Sequence, residues 1–510
     1  MADWSAGYVA DMDYIHGYYA ELNPRRMRLA FLNLGLASPD IGAACELGFG
    51  QGVSVNVHAA ASGARWWGCD FLPGHAALAR ELAASSGADA ALSDEAFAAF
   101  CARDDLPDFD FVALHGVWSW ISDENRAVIV DFLARKLNPG GVVYIGYNAM
   151  PGWAPGAPMR QLMAAHADQM SASGRGVAAR VDAALDFADR VFELSPLYAK
   201  PLPAVGEWLK SIRKQNRHYL AHEYFNRDWR PMDFAEMAAS LGPAKLTYAG
   251  SASFIEHVDG MNTTPEQSAF LAAIPDQVLR ETSRDFIVNR NFRREYWVKG
   301  ARRITGLEQR EGLRRERILL VTPRADVTLK VTCVLGEASL QADLYGALLD
   351  ALADHKPHTL GEIEQLKSMK AYSLPALAQA VIVLAGKGDL ALVQDDETIA
   401  RARPKTDRLN ARLIERSRGS GEIDVLASPV SGGGLGLGRT QQLMLLARQE
   451  DHKTPADWAA YVWDLLKAQN QTVLKDGVVL DSEEKALAEL TTQAEALKAK
   501  LPILTALGVV

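Results

Sequence analysis

Cysteine is scarce in this 510-residue sequence, which has four, all widely separated. No two form a C-x-x-C pair, so we predict neither a disulfide scaffold nor a metal site, and we expect a reducing, cytoplasmic location. No apolar run approaches the roughly 18 residues that span a bilayer. The first residues show no basic segment followed by an apolar one, so we expect no secretory signal and no membrane insertion.

Positive charge is also in short supply. Lysine and arginine number 54 against 63 aspartates and glutamates, a formal net charge of −9. A protein that binds nucleic acid by its phosphates usually presents a basic face, so no nucleic-acid partner is expected. Hydrophobic residues make up 48% and charged residues 23% of the chain, which is typical of globular proteins and excludes a disordered one. The length suffices for roughly three or four domains.

Between residues 25 and 150, short apolar runs alternate with helical stretches. This rhythm predicts an α/β domain built on a Rossmann-like parallel sheet with right-handed crossovers. In such a domain the ligand site lies at the carboxyl ends of the strands. The five predicted strands end at Leu47, Asp70, Asp94, His115 and Asn148.

A glycine-rich turn, ELGFGQG, follows the first predicted strand and begins at Glu46. A dinucleotide site would have the spacing G-x-G-x-x-G, whereas Gly48, Gly50 and Gly52 give G-x-G-x-G after an acidic residue. An acid at this point favours a cationic ligand over a pyrophosphate. The turn resembles motif I of class I S-adenosylmethionine-dependent methyltransferases, whose ligand carries a sulfonium and an amino group.

Acidic residues end the next two predicted strands. Asp70, followed by Phe71, can accept hydrogen bonds from ribose hydroxyls. Asp94 and Glu95 stand where this fold usually contacts the adenine amino group. Taken singly, each acid can equally be a helix N-cap or part of a solvated turn. Together with the glycine turn, they predict a site for S-adenosyl-L-methionine (SAM), with S-adenosyl-L-homocysteine as the product.

Longer segments carry a more specific resemblance, which touches most of the chain. The chain is similar to bacterial class I methyltransferases with a methyltransferase regulatory domain, of which the best known are rickettsial protein-lysine methyltransferases acting on outer-membrane proteins. The resemblance implies SAM as cofactor and a protein lysine as acceptor. Phe49 stands where many relatives have a cysteine. The matching segments are YIHGYYAELNP (14–24), ACELGFGQG (44–52), HAA (58–60), GCDFLP (68–73), FDFVALHGVWSWIS (109–122), NPGGVVYIGYNAMPGW (138–153), YLAHEYFN (219–226) and ASPVSGGG (427–434).

The composition changes along the chain predict six parts. The helix–helix–helix–strand order near residues 341–393 is typical of a winged helix, and SGGGLGLG in the last part is interpreted as a loop. The parts are an N-terminal helical lid segment (1–24), the SAM-binding domain (25–150), a helical insert that is a candidate dimer surface (151–215), a regulatory or middle domain (216–330), a winged-helix-like domain (331–402) and a C-terminal domain (403–510).

Aromatic and polar residues follow the fourth and fifth strands, the region that faces the transferable methyl group in this fold. His115 and Tyr147 are candidate catalytic residues, because either can accept the proton that a lysine loses before it attacks; bulk water is the alternative. HGVW replaces the N/D-P-P-Y/F motif of adenine and amide N-methyltransferases, which argues against those acceptors. The candidate substrate-binding residues are Trp118, Trp120, Asn148, Trp153 and Tyr224.

Several of these residues also have structural interpretations. His115 can simply line the cofactor pocket, where we also count it as a binding residue, and Trp118 and Trp120 can belong to the core. Tyr18 and Tyr19 either cover the cofactor as a lid, which we favour, or pack the N-terminal segment against its neighbours.

Three functions are compatible with the sequence. The first is methylation of protein lysines, for which an outer-membrane or surface protein before export is a candidate substrate. The second is methylation of a small molecule, and the third is a cofactor-binding regulatory protein with little turnover. More than 350 residues beyond the catalytic core favour the first, because a large substrate needs a surface that recognises it.

Overall fold

A seven-stranded mixed sheet forms the centre of the protein. The computed structural model describes residues 7–170, 174, 176–475 and 477–510. The strand order is β3-β2-β1-β4-β5-β7-β6, and β7 runs antiparallel to its neighbours β5 and β6. The strands are β1 (Ala43–Leu47), β2 (Arg65–Cys69), β3 (Ala90–Ser93), β4 (Phe109–His115), β5 (Leu137–Asn148), β6 (Leu246–Ser251) and β7 (Phe292–Lys299).

The predicted α/β class is confirmed, and each of the strands β1 to β5 ends at its predicted last residue or one residue before it. The sheet extends further than predicted, because β6 and β7 come from a later part of the chain. The segment that forms β7 lacks an obvious strand pattern, since Arg293 and Glu295 interrupt it. Both are nevertheless buried, and an ion pair between them allows their burial within the sheet.

Helices cover both faces of the first five strands. Alternate strand residues enter different cores: Phe111 belongs to one hydrophobic cluster and Val112 to the other. Ser122 caps α5 by accepting a hydrogen bond from the Asn125 backbone N–H. The helices of this part are α1 (Pro24–Asn33), α2 (Val53–Ala61), α3 (Pro73–Ser86), α4 (Phe97–Cys101) and α5 (Asp123–Lys136).

The predicted helical insert folds around a hydrophobic cluster of its own, which also includes side chains of the following helix. Residues 171–173 and 175 of the insert lie outside the described residues. Four further helices then accompany β6 and β7. The helices from the insert onwards are α6 (Ala157–Gln169), α7 (Val177–Glu193), α8 (Pro203–Ile212), α9 (Arg217–Tyr224), α10 (Phe234–Leu241), α11 (Asp259–Asn262), α12 (Pro265–Ala272) and α13 (Gln277–Val288).

The next part contains the elements for which we predict a winged-helix-like arrangement. A three-stranded antiparallel sheet has the order β11-β8-β12, and β9 pairs with β10. The elements are α14 (Gly306–Arg315), β8 (Arg317–Leu320), β9 (Lys330–Cys333), β10 (Gly336–Ser339), α15 (Ala342–Ala351), β11 (His358–Thr359), α16 (Leu360–Gln365), α17 (Leu374–Lys387), β12 (Leu390–Val393) and α18 (Asp396–Arg416).

The glycine-dense stretch near the C-terminus is a strand and not the loop we predicted. Gly433–Gly436 pairs with Val425–Ser428 to form a hairpin, because backbone hydrogen bonds suffice for pairing whatever the side chains are. The elements are β13 (Val425–Ser428), β14 (Gly433–Gly436), α19 (Arg439–Gln449), α20 (Pro455–Ala468), β15 (Leu474–Lys475), β16 (Val478–Val479) and α21 (Glu483–Ala506).

The N-terminal segment differs from the predicted helical lid. From residue 7 to residue 19 it is irregular, and a single 3-10 turn follows at Ala20–Leu22. Side chains of other elements bond its backbone, since Val9 N–H donates to Asn226 and Tyr19 N–H donates to Ser54. These bonds replace the ones a helix would make. Residues 1–6 lie outside the described residues.

Among the helices that the structure describes, none combines the length and apolarity needed to cross a membrane.

Candidate active site

The turn between β1 and α2 requires its glycines. Gly48, Gly50 and Gly52 all have positive φ, of +72°, +56° and +73°, a conformation that favours glycine. A Cβ on Gly48 would lie 2.5 Å from a methyl group of Val117, and one on Gly52 would lie 2.3 Å from the Cβ of Ala79. The turn therefore packs closely against the residues that follow β4 and against α3, with its backbone beside a cavity.

Asp70, directly after β2, holds this turn in place. Its Oδ2 accepts a hydrogen bond from the Gly50 N–H (2.9 Å), and its Oδ1 accepts one from the Leu72 N–H (3.1 Å). Each carboxylate oxygen can accept two bonds, so Oδ2 retains capacity for a ligand. The Nδ1 of His75 lies 3.2 Å from Oδ1 of Asp70, and the Nε2 of His75 accepts a hydrogen bond from the Tyr14 N–H. His75 thereby links the N-terminal segment to Asp70.

Glu46 is a buried acid at the end of β1. It is only 1% exposed, and its Oε2 has no hydrogen-bond partner among the described residues. Burial, reinforced by the neighbouring charge of Asp70, raises the pKa of Glu46 to about 8. A cationic ligand group would favour the ionised form. Glu46 lines neither of the cavities described below, but its charge would favour a positively charged ligand bound close by.

A first cavity lies between the glycine turn, the ends of the parallel strands and the N-terminal segment. Tyr8, Tyr14 and His75 contribute to its lining, and none of them is among the predicted site residues. Eight predicted site residues line this cavity: Tyr19, Gly48, Gly50, Asp70, Phe71, Glu95, His115 and Trp120.

A second cavity, of about 540 Å³, adjoins the first. Its lining includes Ser211 and Gln215, which are exposed, so it reaches the protein surface. The predicted residues Asn148, Trp153 and Tyr224 line it. Residues shared by both cavities mark where they meet: Tyr14, Ile15, Tyr19, His115, Gly116, Trp120 and Glu223.

His115 stands at this junction at the end of β4. Its ring stacks on Tyr19 with centroids 3.5 Å apart, and its Nδ1 lies 2.7 Å from the hydroxyl of Tyr144. Burial, with a smaller effect of the Arg294 charge, lowers the pKa of His115 to about 3. The imidazole is therefore neutral at physiological pH.

Glu223, at the end of α9, also reaches the junction, although it is not among the predicted site residues. Its carboxylate accepts a hydrogen bond from the Asn148 side chain (3.4 Å), and its carbonyl accepts one from the Trp120 indole (3.1 Å). Burial raises the pKa of Glu223 to about 7, although hydrogen bonds from the side chains of Asn148 and Tyr219 act to lower it. The i, i+4 spacing of Tyr219 and Glu223 is the signal that places both on one helix face.

Tyr147 and Trp118 lie in the core instead of at the cavities. The Tyr147 hydroxyl is fully buried and donates to Glu295 (3.2 Å), and burial and this carboxylate raise its pKa well above the usual range. The Trp118 indole N–H points at the sulfur of Met232 (3.3 Å). The geometry thus gives Tyr147 a structural place and not the catalytic one that we predicted.

Tyr18 and Asp94, which we predict to bind the cofactor, line neither cavity. The Tyr18 hydroxyl accepts the Gly434 N–H (2.6 Å), so it joins the N-terminal segment to the C-terminal hairpin. Asp94 is exposed and forms an ion pair with Arg80 (3.0 Å). Its neighbour Glu95, paired with Arg103 at 3.0 Å, lines the first cavity.

Within the described residues, no group of three or more His, Cys, Asp or Glu side chains is arranged to hold a metal ion.

The sheet order, glycine turn and acid after β2 define a class I SAM-dependent methyltransferase, and family comparisons agree. A methyltransferase domain model matches residues 45–145, and a predicted methyltransferase regulatory domain model matches residues 216–299. PKMT2 from Rickettsia typhi, solved in complex with AdoHcy, has the same fold. It superposes with a TM-score of 0.70 and 18% identity, over 97% of this chain and all of that one.

The chain belongs to the family of the Synechocystis sp. protein sll1526. The two are 37% identical over 513 residues, which cover 99% of each chain. The Rickettsia prowazekii protein RP789 is 30% identical over 198 residues, which cover 38% of this chain and 35% of that protein. The protein is therefore a SAM-dependent methyltransferase with a regulatory domain.

Proposed function

We propose that this methyltransferase acts on lysine side chains of a protein substrate. The observation that carries the proposal is the second cavity, which joins the first at His115 and Tyr19 and opens at Ser211 and Gln215. A long, flexible side chain can enter such a channel while its backbone stays outside. The resemblance to protein-lysine methyltransferases in the sequence supports the same acceptor.

The residues around the first cavity suit the parts of SAM. We assign the ribose hydroxyls to Asp70, the adenine to Glu95 with Phe71, and the positively charged end to Glu46. Tyr19 covers the cavity beside His115. When bound, SAM supplies a methyl group activated by its attachment to a positively charged sulfur.

The aromatic walls of the second cavity suit an alkylammonium group. Trp153, Trp208 and Tyr224 contact one another, with ring centroids 5.6–6.0 Å apart. Aromatic faces stabilise cations by about 0.5–2 kcal/mol each. The protein's main contribution to methyl transfer is then alignment of the acceptor nitrogen in a site with little water.

Incorporation of radiolabelled methyl groups tests the proposal. The full-length enzyme is incubated with labelled SAM and a lysate of its host lacking the gene, and protein and small-molecule fractions are separated. Base-stable label in a discrete protein band, recovered as methylated lysine after acid hydrolysis, is the expected result. Label confined to small molecules would contradict the proposal in favour of a metabolite, and no label despite SAM binding would favour a regulatory protein.

Three finer predictions extend the proposal. Identifying the labelled band tests whether the substrate is an outer-membrane or surface protein. Light scattering of the purified chain tests the homodimer predicted through residues 151–215. The winged-helix-like domain (331–402) is proposed to dock protein, since it lacks a strong basic stripe.

A further inference from the structure

We propose that Glu223 is a catalytic residue of this enzyme, taking the proton from the ammonium group of the target lysine. This inference rests on the proposed protein-lysine activity. Glu223 belongs to the part of the chain matched by the regulatory domain, residues 216–299. The regulatory domain would accordingly supply a reacting group to the active site.

The position of Glu223 is the first argument. It lines both cavities, so an amine that crosses from the second cavity towards the first passes its carboxylate. Among the described residues that line the second cavity, Glu223 is the one carboxylate. An entering ammonium group therefore meets a single acid at the junction.

The other titratable groups at the junction are less suited to the task. His115 is neutral but a weak base, because burial lowers its pKa to about 3. Tyr14, Tyr19 and Tyr219 have pKa values raised by burial and remain protonated at neutral pH. A base that works near neutrality needs a pKa close to that of the medium, and burial moves Glu223 in that direction.

The charged groups around Glu223 leave its carboxylate able to accept a proton. No ion pair joins Glu223 to a lysine or arginine within the described part of the chain. The Arg160 charge acts on Glu223, but this guanidinium donates to the Asn226 carbonyl. Arg294 also lines the second cavity but lies 3.5 Å from Glu21. The phenols that face Glu223 are those of Tyr8, Tyr14, Tyr219 and Tyr224.

The proton balance of the step is simple. One N–H bond of the lysine ammonium breaks, its electron pair stays on nitrogen, and an O–H bond forms on the Glu223 carboxyl. The freed nitrogen pair forms the new carbon–nitrogen bond, and the electrons of the broken methyl–sulfur bond remain on sulfur. Glu223 then returns its proton to water through the open cavity.

Kinetics of Glu223→Gln against pH test the inference with the protein fraction that the wild-type enzyme labels. We expect kcat at pH 7 to fall at least tenfold, with a smaller loss above about pH 10, where a large fraction of lysine has lost its proton unaided. SAM affinity, measured by calorimetry, should stay within twofold. Glu223→Asp should recover part of the rate and shift the acidic limb of the pH profile. Glu266→Gln removes an exposed acid of the same domain and serves as the control.

The outcomes separate the two proposals. If the wild-type enzyme makes no methylated lysine, the proposed function fails before any variant is examined. If it does, an unchanged rate and pH profile in Glu223→Gln overturns the role of Glu223 alone. Loss of SAM binding together with kcat would show a structural role and also overturn it. Should Glu223→Gln fail to fold, an unshifted acidic limb in Glu223→Asp overturns it.

Discussion

Asp70 combines two tasks in one carboxylate, because it fixes the Gly50 backbone and faces the first cavity. Asp70→Ala should weaken SAM binding at least tenfold, about 1.4 kcal/mol, as measured by calorimetry. Asp89→Ala is the control, since this acid is exposed and pairs with Arg65 at the start of β2. An unchanged affinity in a folded Asp70→Ala protein would remove Asp70 from the site.

Glu46 should make cofactor binding release a proton. With a pKa of about 8 in the free protein, the carboxyl is mostly protonated at pH 7. A nearby cation lowers the pKa, so SAM binding at pH 7 should release roughly one proton. At pH 9.5 the acid is already ionised and little release is expected.

Calorimetry in buffers of different ionisation enthalpy measures this release. Glu46→Gln cannot ionise, so its binding heat should be independent of the buffer at pH 7. Proton uptake by the wild-type protein, or equal proton release by both proteins, would show that Glu46 does not ionise when SAM binds.

Residue positions were predictable where strand ends determine them, as for Gly48 and Asp70. Tyr147 was misassigned although strand alternation contains the answer. In β5, Val143, Ile145 and Tyr147 enter one core, while Tyr144 enters the other. Glu223 was missed because its role at the junction depends on contacts between distant parts of the chain.

At the scale of elements, the C-terminal hairpin supports the N-terminal segment through Tyr18. A Cβ on Gly434 would lie 2.4 Å from Val425 and 3.0 Å from the Tyr18 ring. Gly434→Ala should therefore displace Tyr18 and its neighbour Tyr19, and weaken SAM binding several-fold in calorimetry. Gly436→Ala in the same strand is the matched control, because its nearest neighbour would be 4.0 Å away. Equal affinities of the two variants would contradict this coupling.

Elements with regular patterns were predictable and those fixed by partners were not. The runs that form β1 to β5 are apolar and bounded by turn residues, so their sequence suffices. The hairpin strand Gly433–Gly436 has three glycines around Leu435, so it shows no alternating pattern of side chains, and its strand state comes from pairing with β13. The segment from residue 7 to residue 19 is likewise shaped by bonds to α2, α3 and Asn226.

At the scale of the whole molecule, the predicted SAM-binding domain is not self-sufficient. Strand β5 pairs with β7 from Val142 to Asn148, so a fragment of residues 25–150 would expose that edge. It would also lose the N-terminal wall of the first cavity. We expect the fragment to show no cooperative thermal unfolding in circular dichroism and no SAM binding by calorimetry. The full chain is the control, and a fragment that binds SAM within tenfold of it would contradict this prediction.

The bond between Tyr18 and Gly434 joins residues 416 positions apart, and this has a consequence for synthesis on the ribosome. Tyr18 is made early, yet its partner emerges only when most of the chain has been translated. Asn23, which donates to the Ser431 carbonyl, waits for the same hairpin. The wall that Tyr19 forms over the active site is therefore completed late in translation. Messenger RNAs truncated before codon 434 would yield chains in which Tyr18 and Tyr19 lack the support of the hairpin.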